Sequence, residues 1–199
     1  FSKKLATQNH KTFLPKLKHL KKNLLLVLTR NPELGKCKTR LAATVGDQAA
    51  LDIYTFLLRH TVNLTQNLAA EKWVFYSEEI WQNDMWDNTI YGKHLQLGLD
   101  LGERMLHAFQ KGFEAGFEQV IIIGSDMYHL SQSDLEDAFE QLEKHDYVIG
   151  PAEDGGYYLL GMKYLTPKLF KNKKWGTNSV LLDTLNDLKS ENVALLPER

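Results

Sequence analysis

One cysteine, Cys37, stands in the 199 residues, so no disulfide can form within the chain. A reducing, cytoplasmic setting is the expectation. Charge of one sign is also missing: 24 Lys and Arg oppose 25 Asp and Glu, a formal net charge of -1. No bulk basic field exists to hold nucleic acid by counterion release. Long apolar runs are absent too. Leu24 to Leu28 and Val120 to Ile123 are far too short to span a bilayer. The seven histidines show no H-E-x-x-H or comparable zinc spacing. Neither a G-x-S-x-G elbow nor a G-x-x-x-x-G-K-[ST] phosphate loop occurs. What is present is ordinary globular composition, 43% apolar and 25% charged, enough for one domain with a full core.

The first 22 residues stand apart as a basic leader, with seven lysines and no acidic residue. Phe13, Leu14, Leu17 and Leu20 fall at helical spacing, which suits a short amphipathic helix at a membrane surface or partner. A solvated leader packed loosely on the domain is the favoured reading of such a terminus. The segment has no apolar core of a signal peptide. The chain opens on Phe1 rather than Met, so native residues upstream are expected.

From residue 23 to 199 the pattern reads as a single domain of alternating strands and helices. Strands are expected at Leu24–Thr29, Trp73–Tyr76, His94–Leu97, Val120–Ile123, Tyr147–Ile149, Tyr157–Leu160 and Val193–Leu196. A helix over 47–68 places Ala50, Ile53, Leu57, Leu64 and Leu68 near one face. Leu101, Met105, Phe109 and Phe113 mark a second helix, and Ser131 with Asp134 caps a third that runs to Lys144. Thr177 or Asn178 opens the last helix. The acidic, aromatic stretch 78–92 reads as irregular. Strands separated by helices need crossovers, hence an α/β sandwich with a mainly parallel sheet.

Such sheets bind ligands at the carboxyl ends of their strands, near a switch in strand order. Three loops leave strand ends carrying functional side chains. The first runs from Thr29 and Arg30 to Arg40. Lys36, Lys38 and Arg40 alternate, so an extended loop aims all three one way, a clamp for polyphosphate. Thr39 caps the next helix in this reading. A solvated charge run is the alternative. The second loop is Gly124-Ser125-Asp126, where a carboxylate meets a hard cation and phosphate, or only caps a turn. The third is Gly150 to Tyr158, in which Asp154 shares that cation while Gly155 and Gly156 let the backbone approach a ligand. An Asp-Gly hairpin turn is the plain alternative. Arg104, in Asp100-Leu101-Gly102-Glu103-Arg104-Met105, reaches a phosphate or merely pairs locally. Tyr157, Tyr158 and Trp175 line an acceptor pocket, or else simply pack. Cys37 has no nearby His and is discounted as a nucleophile.

Taken in order, Pro32-x-x-Gly35-Lys36-x-Lys38-Thr39-Arg40-Leu41, the Asp100–Met105 segment, Gly124-Ser125-Asp126 and Gly150-Pro151-Ala152-x-Asp154-Gly155-Gly156-Tyr157-Tyr158 resemble one bacterial family. It is the rSAM/selenodomain-associated transferase 1 family, also described as arsenosugar-biosynthesis-type glycosyltransferases. The resemblance covers about Asn23 to the end. It implies a three-layer α/β/α sandwich of the GT-A, nucleotide-diphospho-sugar transferase type, more distantly similar to phospholactate guanylyltransferases. It also implies a nucleotide-bearing donor on the first loop and Mg²⁺ or Mn²⁺ at Asp126, shared with Asp154. Two departures stand out. Tyr128 replaces the usual Pro two residues after Asp126. The family also tends to continue into a D-x-D-T-like segment, where this chain reads Leu196-Pro197-Glu198-Arg199.

The leading expectation is sugar transfer from a nucleotide-diphosphate donor to a small-molecule acceptor. Arg30, Lys36, Lys38, Thr39, Arg40, Arg104, Gly155 and Gly156 serve the nucleotide, and Asp126 and Asp154 serve catalysis and metal. A nucleotidyltransferase acting on a phosphorylated small molecule is the second reading, and a nucleotide-sensing module without turnover the third. Neither nucleic acid nor a membrane span is expected among the partners.

Overall fold

The computed structural model describes residues 22–199. The basic leader, including the helical spacing of Phe13 to Leu20, lies outside the described residues.

Leu24, Leu25, Leu26 and Val27 are fully buried in β1 (Asn23–Thr29). Successive side chains point to opposite faces of a strand. Leu25 and Val27 therefore enter one core, while Leu24 and Leu26 enter another on the far face. A continuous apolar run is what a strand covered on both sides requires.

Six further strands complete one sheet: β2 (Glu71–Tyr76), β3 (Tyr91–Leu95), β4 (Gln119–Gly124), β5 (Tyr147–Pro151), β6 (Tyr157–Met162) and β7 (Val193–Leu195). Their spatial order is β3-β2-β1-β4-β6-β5-β7. All neighbours pair in parallel except β6, which runs antiparallel to both β4 and β5. The mainly parallel α/β sandwich expected from the sequence is present.

Helices α1 (Thr39–Val45), α2 (Asp47–Thr65), α3 (Leu101–Glu114), α4 (Gln132–Lys144) and α5 (Val180–Asp187) flank the sheet. One core packs Tyr54 and Leu58 of α2 and Leu135 and Leu142 of α4 against Leu25, Val27, Ile121 and Val148. The opposite core packs Met105 and Phe109 of α3 with Leu169, Phe170 and Leu188 against Leu24, Leu26, Val120 and Ile149. Ser131 and Asp134 form the reciprocal capping box at the start of α4. No helix among the described residues is long and apolar enough to cross a membrane.

Three local expectations are corrected. Helix α2 buries Ala50 and Leu64 as expected, and Leu68 just beyond it, but its buried face also takes Tyr54, Leu58, Thr61 and Thr65 while Ile53 is 40% exposed. Residues β3 needs begin at Tyr91, whose ring meets Trp86 edge-on and whose hydroxyl bonds Thr65, so the strand sits earlier than expected. The last helix starts after Ser179, because Thr177 Oγ1 donates back to Lys174 O at 2.7 Å.

Candidate active site at the switch between strands 1 and 4

The chain proceeds from β1 outward through β2 to β3, then returns to place β4 on the other side of β1. The loops leaving β1 and β4 therefore diverge and open a crevice at the carboxyl edge. A cleft of about 920 Å³ lies there, and its wall includes Arg30, Lys36, Lys38, Thr39, Arg40, Arg104, Ser125 and Asp126. Six of the eight residues assigned to the nucleotide from sequence thus line one cavity.

The route by which they meet differs from the expected extended loop. Residues 34–37 form turns, with Gly35 at φ 73°, and Lys38 is left-handed at φ 48°, ψ 42°. Lys38, not Thr39, occupies the position before α1, and no side chain caps that helix. Lys36 Nζ bends to Glu33 Oε2 at 2.6 Å, which raises its pKa through hydrogen bonding and the carboxylate's charge. Lys38 Nζ instead reaches across the crevice to Asp126 Oδ2 at 2.6 Å. Turning the chain through an αL residue lets neighbouring cations face a common space without alternation.

The base of the cleft is a buried hydroxyl network. Tyr54 Oη accepts from Arg30 N–H at 2.9 Å and lies 3.3 Å from Thr29 Oγ1 and 3.2 Å from Ser125 Oγ. Ser125 Oγ bonds Thr29 Oγ1 at 3.0 Å, and Thr61 Oγ1 donates to Ser125 O at 2.9 Å. One helix thereby fixes both strand-end loops. Gln96 adds a third tie, its amide donating to Thr29 O at 2.8 Å and Phe75 O at 2.9 Å. Its Oε1 faces the Arg104 guanidinium at 3.5 Å. Tyr54 and Gln96 were missed from sequence. Tyr54 is concealed in a helix whose apolar spacing needs no polar role, and Gln96 has only its place at a strand end as a signal.

A second cavity of about 480 Å³ adjoins the first, sharing Leu28, Arg40, Leu101, Gly124 and Asp126 with it. Asp154, Gly156, Tyr157, Tyr158 and Trp175 are in its wall. Asp126 therefore stands where the two cavities meet, and Asp154 lies on the second side only. The strand ends carrying these aspartates are not neighbours, because β6 intervenes between β4 and β5. The β5–β6 connection is the hairpin turn given as the plain alternative: Asp154 Oδ1 accepts from Gly156 N–H at 3.0 Å, and Gly155 N–H donates to Ala152 O at 3.0 Å.

Gly155 lines neither cavity. Its backbone, at φ 81°, lies so close to Asn178 that a Cβ would fall 2.3 Å from the Asn178 carbonyl oxygen. Gly156 belongs to the second cavity, away from the clamp. Gly102 is explained by packing as well: a Cβ there would stand 2.5 Å from Trp175 Nε1 and 2.6 Å from Phe170 O. Cys37 is buried, its thiol turned to Glu33 O, and burial pushes its pKa up, which agrees with discounting it.

Among the described residues, no group of three or more His, Cys, Asp or Glu could cage a metal. Asp126 and Asp154 are both exposed carboxylates facing one cavity. Such a sparse oxygen set fits a hard divalent ion that takes one or two carboxylates and completes its shell with phosphate and water.

Solved structures share this architecture. A protein of Desulfovibrio desulfuricans G20, titled a "putative nucleotide-diphospho-sugar transferase", is 32% identical with a TM-score of 0.81, over 88% of this chain and 80% of that one. A cytidylyltransferase from Leptospira borgpetersenii is 11% identical with a TM-score of 0.59, over 90% of this chain and 76% of that one. Rv0371c of Mycobacterium tuberculosis H37Rv, crystallised with manganese, is 9% identical with a TM-score of 0.50, over 89% of each chain. At those last two identities the likeness is one of fold. A search of curated proteins finds no match. Residues 60–177 match the sequence family described as "Uncharacterized protein conserved in bacteria" (DUF2064), and the chain belongs to that family.

Proposed function

We propose that this chain is a transferase that takes a sugar from a nucleotide-diphosphate donor in the larger cavity and passes it to a small molecule in the smaller one. The observation that carries this reading is the meeting of a cation-rich cleft and a separate pocket at one carboxylate, Asp126. The finer resemblance to the rSAM-associated transferases belongs to the same proposal.

Arg30, Lys36, Lys38, Arg40 and Arg104 offset the charge of a diphosphate in the cleft. Arginine supplies paired N–H donors, and lysine a mobile point charge. Mg²⁺ or Mn²⁺, bound through Asp126 and the phosphates, would stabilise charge on the departing diphosphate. The acceptor's hydroxyl oxygen bonds to the anomeric carbon as that carbon's bond to the diphosphate oxygen breaks. The electron pair leaves on the diphosphate. The hydroxyl proton passes to Asp154, whose Oδ1 is already held by Gly156 N–H, leaving Oδ2 to act as base.

A nucleotidyltransferase is the second reading, in which a phosphorylated acceptor attacks the α-phosphate and pyrophosphate departs. The feature favouring it is the surplus of cations around a single switch-point aspartate, which suits a triphosphate. Incubation with nucleotide sugars and with nucleoside triphosphates, each with Mg²⁺ or Mn²⁺, separates the two. Release of a nucleoside diphosphate with sugar transferred supports the first, and release of pyrophosphate the second. Asp126→Asn should abolish turnover under either. Tight nucleotide binding with no product from any donor would instead support a sensing module.

A further inference from the structure

We infer that residues 38–46, the segment carrying α1, form a lid that closes over the donor's phosphates in the larger cavity. The inference rests on a polyphosphate-bearing donor in that cavity and holds whichever group is transferred.

Helix α1 is attached to the domain more lightly than its neighbour. None of its residues is buried, whereas α2, which follows directly, buries side chains from Ala50 to Thr65. Isolated helices shorter than about 12–15 residues are marginal in water. A helix of 7 residues with no buried face and no side-chain cap therefore has little to hold it. It packs mainly on α2, and Val45 at its last position is exposed.

The segment is bracketed by two unusual backbone positions. Cys37, just before it, is buried in a core, and Ala50 is fully buried in the first turns of α2. Between these anchors Lys38 is left-handed, and Gly46 has φ 86° and ψ 158°, a conformation open essentially to glycine alone. A Cβ at Gly46 would meet nothing within 4 Å, so the backbone and not packing calls for glycine there. Hinges are a few element-terminal residues that absorb the change in φ and ψ when a lid moves.

The inner side of this segment belongs to the cleft. Lys38, Thr39, Arg40 and Leu41 line the larger cavity. Across the crevice the segment is held by the Lys38–Asp126 ion pair, which is half-exposed and readily exchanged. A polyphosphate offers Lys38 and Arg40 a more highly charged partner, so its arrival trades that latch for two contacts and draws α1 down. The floor of the cleft does not follow, because Tyr54 ties it to α2 through Arg30 N–H and Ser125 Oγ.

Hydrogen–deuterium exchange of the whole protein tests this. The reporters are the amides that close α1, among them Ala42 N–H on Lys38 O at 2.9 Å and Gly46 N–H on Ala42 O at 2.8 Å. In the free protein they should exchange at least about a hundredfold faster than the α2 amides near Leu58. Saturating inorganic pyrophosphate, its binding measured by calorimetry, should slow them at least about fivefold and leave α2 unchanged. Protection in the free protein equal to that of α2 would overturn the lid and leave the donor reading untouched. Bound pyrophosphate with unchanged exchange in α1 would overturn the closure in the same way. No binding of pyrophosphate would overturn the donor reading, and the closure with it.

Discussion

Lys38 Nζ stands 2.6 Å from Asp126 Oδ2, a lysine ammonium seated on the carboxylate that opens on the crevice. Lys38 holds this position from a left-handed backbone conformation that costs a non-glycine residue about 1–2 kcal/mol. Both partners are half-exposed, at 31% and 44% of their side-chain surface, so the pair exchanges readily for other ions. A divalent ion placed at Asp126 alone would have to compete with Lys38, whereas a bound phosphate would draw the ammonium away. Removing the ammonium while keeping the stem, as in Lys38→Met, should therefore tighten binding of Mn²⁺ alone by roughly tenfold, about 1.4 kcal/mol. Metal-free pyrophosphate should bind more weakly to the same variant. Electron paramagnetic resonance of free Mn²⁺ measures the first effect and calorimetry the second. Equal Mn²⁺ affinity in wild type and Lys38→Met would show that the pair does not gate the carboxylate.

Tyr54 serves two loops through one hydroxyl. In Tyr54→Phe the Arg30 N–H loses its acceptor, and Thr29 and Ser125 lose a shared partner. Leaving such groups unpaired costs about 1–3 kcal/mol. For a chain of this size each kcal/mol lowers the melting temperature by about 2–4 °C. Because both strand-end loops loosen together, nucleotide affinity should fall along with stability. Calorimetric melting with and without nucleotide measures both. An unchanged melt would mean that water replaces the phenol.

Gly102→Ala should displace Trp175. The added methyl would meet the indole and a backbone carbonyl that has no freedom to turn aside. Overpacking of this kind costs about 1–3 kcal/mol. Denaturant titration gives the loss, and the Trp175 indole resonance shows whether the ring has moved. A stable protein with an unmoved Trp175 would refute the packing role assigned to this glycine.

The relation between sequence and structure follows from which forces are local. Burial on both faces writes continuous apolar runs into Leu24–Val27 and Val120–Ile123, so the central strands were legible. The capping box at Ser131 and Asp134 is equally local and was readable. The antiparallel sense of β6 was not, because the run from Tyr157 to Met162 is buried whichever way it points. The cations of the first loop were found, yet their convergence comes from the αL turn at Lys38, which no residue preference foretells. Ile53 and Leu57 fit the apolar face of α2 by spacing, but they line the larger cavity while Tyr54 and Leu58 enter the core. Tyr54 and Gln96 tie the strand ends through bonds that span 21 to 71 residues, and sequence spacing holds no trace of such pairs.

Stability should fall on mild acidification. His94 stacks on Phe75 at 5.0 Å and lies 4.6 Å from Trp73, while His107 meets the Phe75 ring edge-on at 6.4 Å. Burial lowers both imidazole pKa values, and Lys111 lowers them further, against a smaller opposing effect of Glu114 on His107. The unfolded chain takes up these protons near pH 6.5, whereas the folded chain resists until lower pH. The unfolded state then binds more protons, so the contribution is fully present above about pH 6.5 and is lost as pH falls toward the folded values. Each histidine can contribute at most about 1.4 kcal/mol per pH unit in that window. Asp134 acts in a different range. Burial alone would raise its pKa, but hydrogen bonds from Ser131 and the ion pair with Arg199 outweigh burial and hold it low, so its loss comes only below about pH 4. Urea midpoints at pH 7.5 and 5.5 should therefore differ in the wild type, and His94→Phe should reduce the difference while leaving the acid limb below pH 4 in place. Identical midpoints at the two pH values would show that neither imidazole is desolvated in the native state.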